Sequence, residues 1–194
     1  MIPPIQVAPR ARNAAATREA ILVSARRHFA RESYENVGLR EVAGDAGVDP
    51  ALVGRYFGNK EQLFKEALRG DDEHMMQDVA REDLPEHFAT LLMSGEARSC
   101  EATAAKVDRL LMLLRSASSP KASEIIRDSI DTDILCPVSA VLEGEDAEVR
   151  AALCLSVLMG AGILRTAMGI DPLCDADDAR LRRRLVALFG AALA

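Results

Sequence analysis

Apolar residues recur along most of this chain at intervals of three and four positions, the spacing that places them on one face of an α-helix. Strict alternation of apolar and polar residues, which is typical of β-strands, does not stand out in the sequence, and only 4% of the residues are aromatic. The pattern predicts an all-α protein with about nine to ten helices. Two short helices are predicted between residues 38 and 57, and the others at 17–31, 60–69, 85–93, 103–117, 122–130, 134–142, 146–168 and 176–192.

The stretch 38–57 combines two short helical patterns with the residues that end one helix and start the next. Gly47 follows the first pattern, where a positive φ angle is often needed. Asp49 precedes the second pattern and can cap its first turn, and Pro50 suits the first helical position. With Val53 packed inward between the two helices, this spacing predicts a helix-turn-helix. The residues that then face outward, where a DNA major groove would lie, are Pro50, Ala51, Gly54 and Arg55.

Two short helices joined by a glycine turn are also compatible with a helical hairpin inside a core, so the flanking residues matter. From Thr17 to Leu68 the sequence resembles the DNA-binding domain of the tetracycline-repressor (TetR) family of bacterial transcription regulators. The resemblance is carried by Ile21-Leu22, Ala25 through Phe29, Tyr34, Arg40, Val42-Ala43, Ala46-Gly47-Val48, Tyr56-Phe57, Lys60-Glu61 and Leu63-Phe64.

The resemblance implies a division of the chain into two domains after an N-terminal arm. A three-helix DNA-binding domain would occupy residues 17–69, and a helical effector-binding and dimerisation domain residues 70–194. Residues 1–16 contain three prolines and no acidic residue, which predicts a flexible arm. Within it, Arg10 and Arg12 are candidates for contact with a DNA minor groove.

Roles in DNA binding follow from the resemblance, position by position. Arg40 and Arg55 are the expected base readers, since a guanidinium can bond both acceptors on a guanine edge. Tyr56 and Lys60 match positions that hold the phosphate backbone. Gly38 stands near a position that usually carries a capping threonine or serine, which often also touches phosphate, and a bare backbone amide could still do both jobs there. The predicted DNA-binding residues are Gly38, Arg40, Pro50, Ala51, Gly54, Arg55, Tyr56 and Lys60.

Three of these positions depart from the family pattern and bear on operator affinity. Besides Gly38, the chain has Gly54 where a tyrosine is common and Ala51 where a glycine is common. Loss of the aromatic ring removes one phosphate contact, and a glycine inside the second helix destabilises it by up to roughly 1 kcal/mol.

Net charge, −6 for the whole chain, is distributed unevenly between the predicted domains. Residues 1–69 hold 11 basic and 8 acidic residues and so carry +3, whereas residues 70–194 hold 13 and 22 and carry −9. The basic share therefore lies where DNA contact is predicted, and the acidic remainder keeps the body away from phosphates.

The stretch 146–168 is apolar around nearly its whole circumference, so we expect it to be buried on several sides. A membrane span is not predicted, because the uncharged run from Ala151 to Leu164 is too short and contains two glycines. The resemblance implies that this helix and the last one form a four-helix bundle with a second copy. The predicted dimer-interface residues are Leu155, Leu158, Gly162, Leu181, Leu185, Leu188 and Phe189.

Effector binding is likewise implied by the resemblance, and soft apolar side chains in the C-terminal part are candidates for lining an adaptable cavity. Arg115 is the candidate for holding an anionic group. The predicted effector-binding residues are Met93, Leu111, Met112, Arg115, Cys136 and Met159.

Cysteines 100, 136, 154 and 174 form no close pair, which predicts neither a metal site nor a disulfide framework, and reduced cytoplasmic thiols are the default. No phosphate-binding glycine loop or nucleophile motif occurs, so we predict no cofactor and no enzymatic activity.

These observations predict a cytoplasmic, nucleoid-associated bacterial repressor that binds a near-palindromic double-stranded DNA operator as a homodimer and is released by an apolar small molecule. Two alternatives remain open. One is a ligand-binding protein of the same fold with degenerate DNA binding, suggested by Gly38 and Gly54. The other is a small helical enzyme, whose activity would have to depend on Arg115 or His87.

Overall fold

The computed structural model describes residues 9–69, 79–93, 100–174 and 176–194, and all regular structure within them is helical. The side chains of residues 9–13 and 100–103 lie outside the description. The predicted all-α class is confirmed. The helices are α1 (Pro9–Arg31), α2 (Leu39–Asp45), α3 (Pro50–Phe57), α4 (Lys60–Arg69), α5 (Leu84–Met93), α6 (Cys100–Ser116), α7 (Pro120–Ile130), α8 (Cys136–Val141), α9 (Ala147–Gly162), α10 (Asp171–Cys174) and α11 (Asp178–Leu193), with a 3-10 turn at Arg81–Asp83 and π-helical turns at Asp131–Leu135 and Ile163–Ala167.

The first helix begins eight residues earlier than predicted, at Pro9 instead of Thr17. Pro9 suits the first turn of a helix, and the run of alanines at 14–16 has the highest helix propensity of any residue type. The described half of the predicted flexible arm is therefore helical. The side chains of Arg10 and Arg12, and the predicted linker at 71–73, lie outside the described residues.

Helices α7 and α8, predicted as separate, are continuous through the π-helical turn Asp131–Leu135. In this turn the amide of Cys136 donates to the carbonyl of Asp131, five residues earlier. Pro137 follows and has no amide to donate, so an ordinary α-helical turn would lose a hydrogen bond at that point. The wider π-helical turn places the change in hydrogen-bond pattern ahead of Pro137, so that α7 and α8 continue as one rod.

One hydrophobic core, here called the head core, lies between α1, α2, α3, α4, α6 and α7. Its centre is an aromatic group in which the Phe64 ring stands edge-on to Phe29 and Tyr34, at centroid distances of 4.9 and 5.1 Å. Met112 of α6 and Ala122 of α7, both fully buried, belong to the same core. The head core therefore crosses the domain boundary predicted between residues 69 and 70.

A second core, here called the bundle core, is formed by α5, α8, α9 and α11. Phe88 and Phe189 meet at its centre with ring centroids 5.5 Å apart. Helices α6 and α7 thus pack with the N-terminal helices, and α5, α9 and α11 pack around a second centre.

Helix α9 and its π-helical turn, Ala147–Ala167, form one helix long and apolar enough to cross a membrane by length and composition, and 28% of its most apolar window is buried. Arg150 lies near one end of this helix and Arg165 near the other, both buried. The Arg150 guanidinium donates to the Leu193 carbonyl at 3.0 Å, so the start of α9 lies beside the end of α11. Buried arginines thus lie near both ends of this helix, while most of its apolar window is not buried. An exposed apolar surface of this kind is typical of a site that binds another molecule.

Candidate nucleic-acid interface

The turn between α2 and α3 has the backbone that the sequence predicts. Gly47 adopts a φ of 67°, in the left-handed region that glycine reaches without strain. The amide of Val48 donates to the carbonyl of Ala43 at 3.0 Å, and the Ala51 amide donates to the Asp49 carboxylate at 2.8 Å. One helix is closed and the next is capped within four residues.

Helix α1 holds the two motif helices in place. The Ser24 hydroxyl donates to the carbonyl of Val42 at 2.9 Å, and His28 Nε2 lies 2.7 Å from an Asp45 carboxylate oxygen. The Arg18 guanidinium lies 5.2 Å from the centre of the Phe57 ring while pairing with Glu66 on α4. Both ends of the motif are thereby attached to neighbouring helices, which gives α3 a defined direction.

Outward-facing residues of α3 are those that the sequence predicts. Val53 and Phe57 are buried, and the opposite face of the helix, with Pro50, Ala51, Gly54 and Arg55, is exposed. Arg40 is exposed near the start of α2, and neither its guanidinium nor that of Arg55 has a hydrogen-bond or ion-pair partner in the described part of the chain. The surface therefore combines small residues, which allow close approach, with two available guanidinium groups.

Lys60, a predicted phosphate contact, already has partners within the chain. Its ammonium donates to the backbone carbonyl of Glu35 at 3.1 Å and lies 4.8 Å from the centre of the Tyr34 ring. Burial lowers the pKa of Lys60, and the nearby Glu35 carboxylate opposes that shift. Lys60 thus braces the loop before α2, and only its remaining N–H groups can reach a phosphate. Tyr56 is half-buried against the head core.

The Gly38 amide is also occupied within the chain. It donates to a carboxylate oxygen of Glu41 at 3.2 Å, so the three-residue spacing supplies half of a capping box. The single hydrogen of this amide is therefore donated to Glu41 in the described conformation, and its contact with a phosphate stays a prediction.

Comparison with known proteins identifies the N-terminal helices and most of the C-terminal part of the chain. Residues 21–67 match the family model described as "Bacterial regulatory proteins, tetR family", and residues 82–193 match "Tetracyclin repressor-like, C-terminal domain". The chain belongs to the TetR family. It is a DNA-binding transcriptional regulator, as the resemblance implied.

Relatives within and around the family are consistent with this assignment. The HTH-type transcriptional repressor Rv1474c of Mycobacterium tuberculosis is 29% identical over 157 residues, which cover 67% of this chain and 80% of that protein. A solved transcriptional regulator from Rhodococcus sp. Rha1 is 28% identical, with a TM-score of 0.57, covering 91% of this chain and 95% of its own. The SmeT–triclosan complex shares the fold, with a TM-score of 0.62 at 20% identity over 92% of this chain and 90% of that one.

The predicted dimer-interface residues divide between the interior and the surface. Leu155, Gly162, Leu181, Leu185 and Phe189 are buried in the chain itself, Leu158 is half-buried, and Leu188 is exposed. Leu155, Leu181, Leu185 and Phe189 already pack their side chains inside the chain, and Gly162 is buried as well, so these five offer little surface to a second copy in the described conformation. Their place in a dimer interface stays a prediction. The large apolar side chains exposed on α9 and its π-helical turn are Val149, Leu153 and Leu164. The sequence missed them because α9 is apolar on all sides, so hydropathy alone could not show which face remains uncovered.

The predicted effector-binding residues lie in several parts of the described structure. Met112 is fully buried in the head core with Leu111 packed against that core, and Met93 packs against the bundle core. Arg115 and Cys136 are exposed and Met159 is half-buried. Their role in effector binding stays a prediction, and helical spacing could not show that α6 packs with the N-terminal helices. An open cleft of about 270 Å³ at the end of α11 is lined by none of the six.

Proposed function

We propose that the protein is a repressor that binds a near-palindromic operator as a homodimer and is released by a small-molecule effector. The observation that carries this proposal is the exposed outer face of α3, where Arg55 has no partner in the described part of the chain. An exposed helix with small residues beside an available guanidinium suits entry into the major groove and contact with a guanine edge.

Dimerisation is supported by the uncovered apolar surface of α9. Val149 is 59% exposed and Leu153 53% exposed, and Leu188 of the adjacent α11 is 51% exposed. Covering these side chains with the same surface of a second copy buries them by twofold symmetry. A twofold pair would place its recognition helices about 34 to 36 Å apart, one turn of duplex DNA. The operator should then consist of two inverted half-sites.

Release by an effector is supported by the family and by the SmeT–triclosan complex, a protein of the same fold that holds a small molecule. A ligand that prefers the conformation with misplaced recognition helices lowers operator affinity by its differential binding, typically about 1 to 3 kcal/mol. The effector class remains an apolar small molecule, acting on a regulator in the bacterial cytoplasm.

Selection of bound duplexes from a random DNA pool tests the function. We expect an inverted-repeat consensus, and loss of that enrichment with Arg55→Ala. Arg127→Ala is the matched control, since it removes the same charge from an exposed position on α7. A consensus without inverted symmetry, or no consensus at all, would instead support the degenerate binder that Gly54 and the occupied Gly38 amide suggest.

A further inference from the structure

Two basic residues one helical turn apart on α4 pair with aspartates in the C-terminal half of the chain. Lys65 pairs with Asp128 of α7, and Arg69 pairs with Asp133 in the π-helical turn between α7 and α8. Because residues four positions apart share one face of a helix, the two pairs lie side by side along α4. They differ in what they connect.

The Lys65–Asp128 pair connects two helices that already share the head core. Leu63, Phe64 and Ala67 of α4 are buried in that core together with Ala122 and Ile125 of α7. This pair therefore lies within a unit that apolar packing holds together. At the surface, with the Asp128 side chain 60% exposed, such a pair contributes little to stability.

The Arg69–Asp133 pair instead connects the head core to the bundle core. Arg69 is the last residue of α4, whereas Asp133 is followed by Ile134 and Leu135, which pack against the bundle core. Within this region of the structure, the pair joins a helix of one core to a segment attached to the other. A change in the angle between the two cores must then alter the distance between these two side chains.

The geometry of this pair restrains direction as well as distance. Arg69 Nε lies 2.8 Å from one Asp133 carboxylate oxygen, and Nη2 lies 2.7 Å from the other. Two parallel charge-assisted hydrogen bonds fix the plane of the guanidinium relative to the carboxylate, which a lysine ammonium does not do. Both side chains are only about one-third exposed, which limits screening by solvent.

Asp133 also lies at the point where the rod formed by α7 and α8 changes its hydrogen-bond register. The Cys136 amide bonds five residues back, to Asp131, across the position of Asp133. π-helical turns of this kind occur as local departures from α-helical pairing and often accompany functional sites. The paired aspartate therefore lies in the joint between the two cores.

We propose that Arg69 and Asp133 are positioning residues for DNA binding, which fix the angle between the head core and the bundle core so that two recognition helices meet successive major grooves. This inference rests on the proposed homodimer and its inverted-repeat operator. Neither residue needs to contact DNA. The pair acts only when both heads of a dimer bind at once, because one half-site imposes no separation between heads.

The test compares affinity for the full inverted repeat obtained by selection with affinity for a duplex carrying one half-site. Asp133→Asn and Arg69→Gln should each weaken full-site binding about 5-fold or more, the lower range of measured coupling between sites. Half-site binding should stay within about twofold. The double variant should bind no more weakly than Arg69→Gln alone, because Asp133→Asn removes an interaction that Arg69→Gln has already removed.

The matched control is Asp128→Asn, which removes an aspartate charge facing the same side of α4 but within the head core unit. It should leave the ratio of full-site to half-site affinity unchanged. Sedimentation velocity and thermal unfolding establish that each variant is a folded dimer. A fall in half-site affinity parallel to the full-site loss would overturn the positioning role, since a damaged head or a lost DNA contact produces that result.

Unchanged full-site affinity in Asp133→Asn, a gain in full-site affinity, or an equal loss in Asp128→Asn would also overturn the inference. Failure of the proposed function has a different signature. In that case the wild-type protein itself shows no preference for the full site over the half-site, before any variant is compared.

Discussion

At the scale of single residues, the surroundings of Gly54 leave room for a side chain that glycine does not have. It lies in the middle of α3, and a Cβ added there meets no heavy atom within 4 Å. Glycine inside a helix increases the conformational entropy lost on folding and provides no contact in return. Helix α3 is therefore less stable than the same helix would be with alanine at position 54.

Gly54→Ala should raise the free energy of unfolding by about 0.5 to 1 kcal/mol, because the change restricts the unfolded chain without a clash in the folded one. Urea denaturation followed by circular dichroism measures this change. Gly58→Ala is the control with opposite sign, since Gly58 has a φ of 75° that alanine adopts only with strain. Destabilisation by Gly54→Ala would show that α3 needs glycine for a reason absent from this conformation.

At the scale of elements, the start of α3 depends on one carboxylate. Asp49 accepts the hydrogen bond from Ala51 at 2.8 Å, and Pro50 fixes the first helical φ angle. In a helix of eight residues, the first turn makes up about half of the element, so its cap matters more than in a long helix. We expect loss of this cap to disorder the first turn of α3.

Asp49→Ala should lower the free energy of unfolding by about 0.5 to 2 kcal/mol through loss of the cap. Glu145→Ala, which removes an exposed carboxylate in the loop before α9, should change it by less than about 0.5 kcal/mol. Denaturant melts of the two variants against the parent protein provide the comparison. Equal effects would show that charge, and not the capping hydrogen bond, explains the result.

At the scale of the whole molecule, the described residues form two hydrophobic cores and leave several large apolar side chains exposed outside both. The exposed side chains of α9 and Leu188 of α11 belong to helices that pack in the bundle core. A homodimer joined through this surface would leave each head attached through α6, α7 and the Arg69–Asp133 pair. In such a dimer the bundle core helices would bind the second copy, and the head core helices would contact DNA. The π-helical turn between α7 and α8 connects these two parts of the chain.

Leu153→Glu should convert the proposed dimer into a folded monomer, because a charge at a half-exposed interface position opposes association without entering a core. Sedimentation velocity and far-ultraviolet circular dichroism together measure mass and fold. Leu185→Glu should instead unfold the chain, since Leu185 is only 5% exposed in the bundle core. A folded Leu153→Glu dimer would exclude the α9 surface from the interface.

The sequence by itself determined the features that depend on near neighbours along the chain. Gly47, Asp49 and Pro50 specify a helix end and a helix start through local backbone geometry, and helical spacing assigned Val53 inward and Arg55 outward. Such features need no knowledge of distant contacts. The helix-turn-helix, the all-α class and the family were accessible for that reason.

Only the tertiary structure decided which elements share a core and which surface stays uncovered. Met112 packs with the N-terminal helices although it lies in the predicted effector domain, and Leu185 is buried while Leu153 is exposed. Hydropathy is the same for a leucine that faces its own core and for one that faces a second copy. The partner of Arg69, 64 residues along the chain, likewise follows from how α4 packs beside the π-helical turn, and no local pattern encodes that distance.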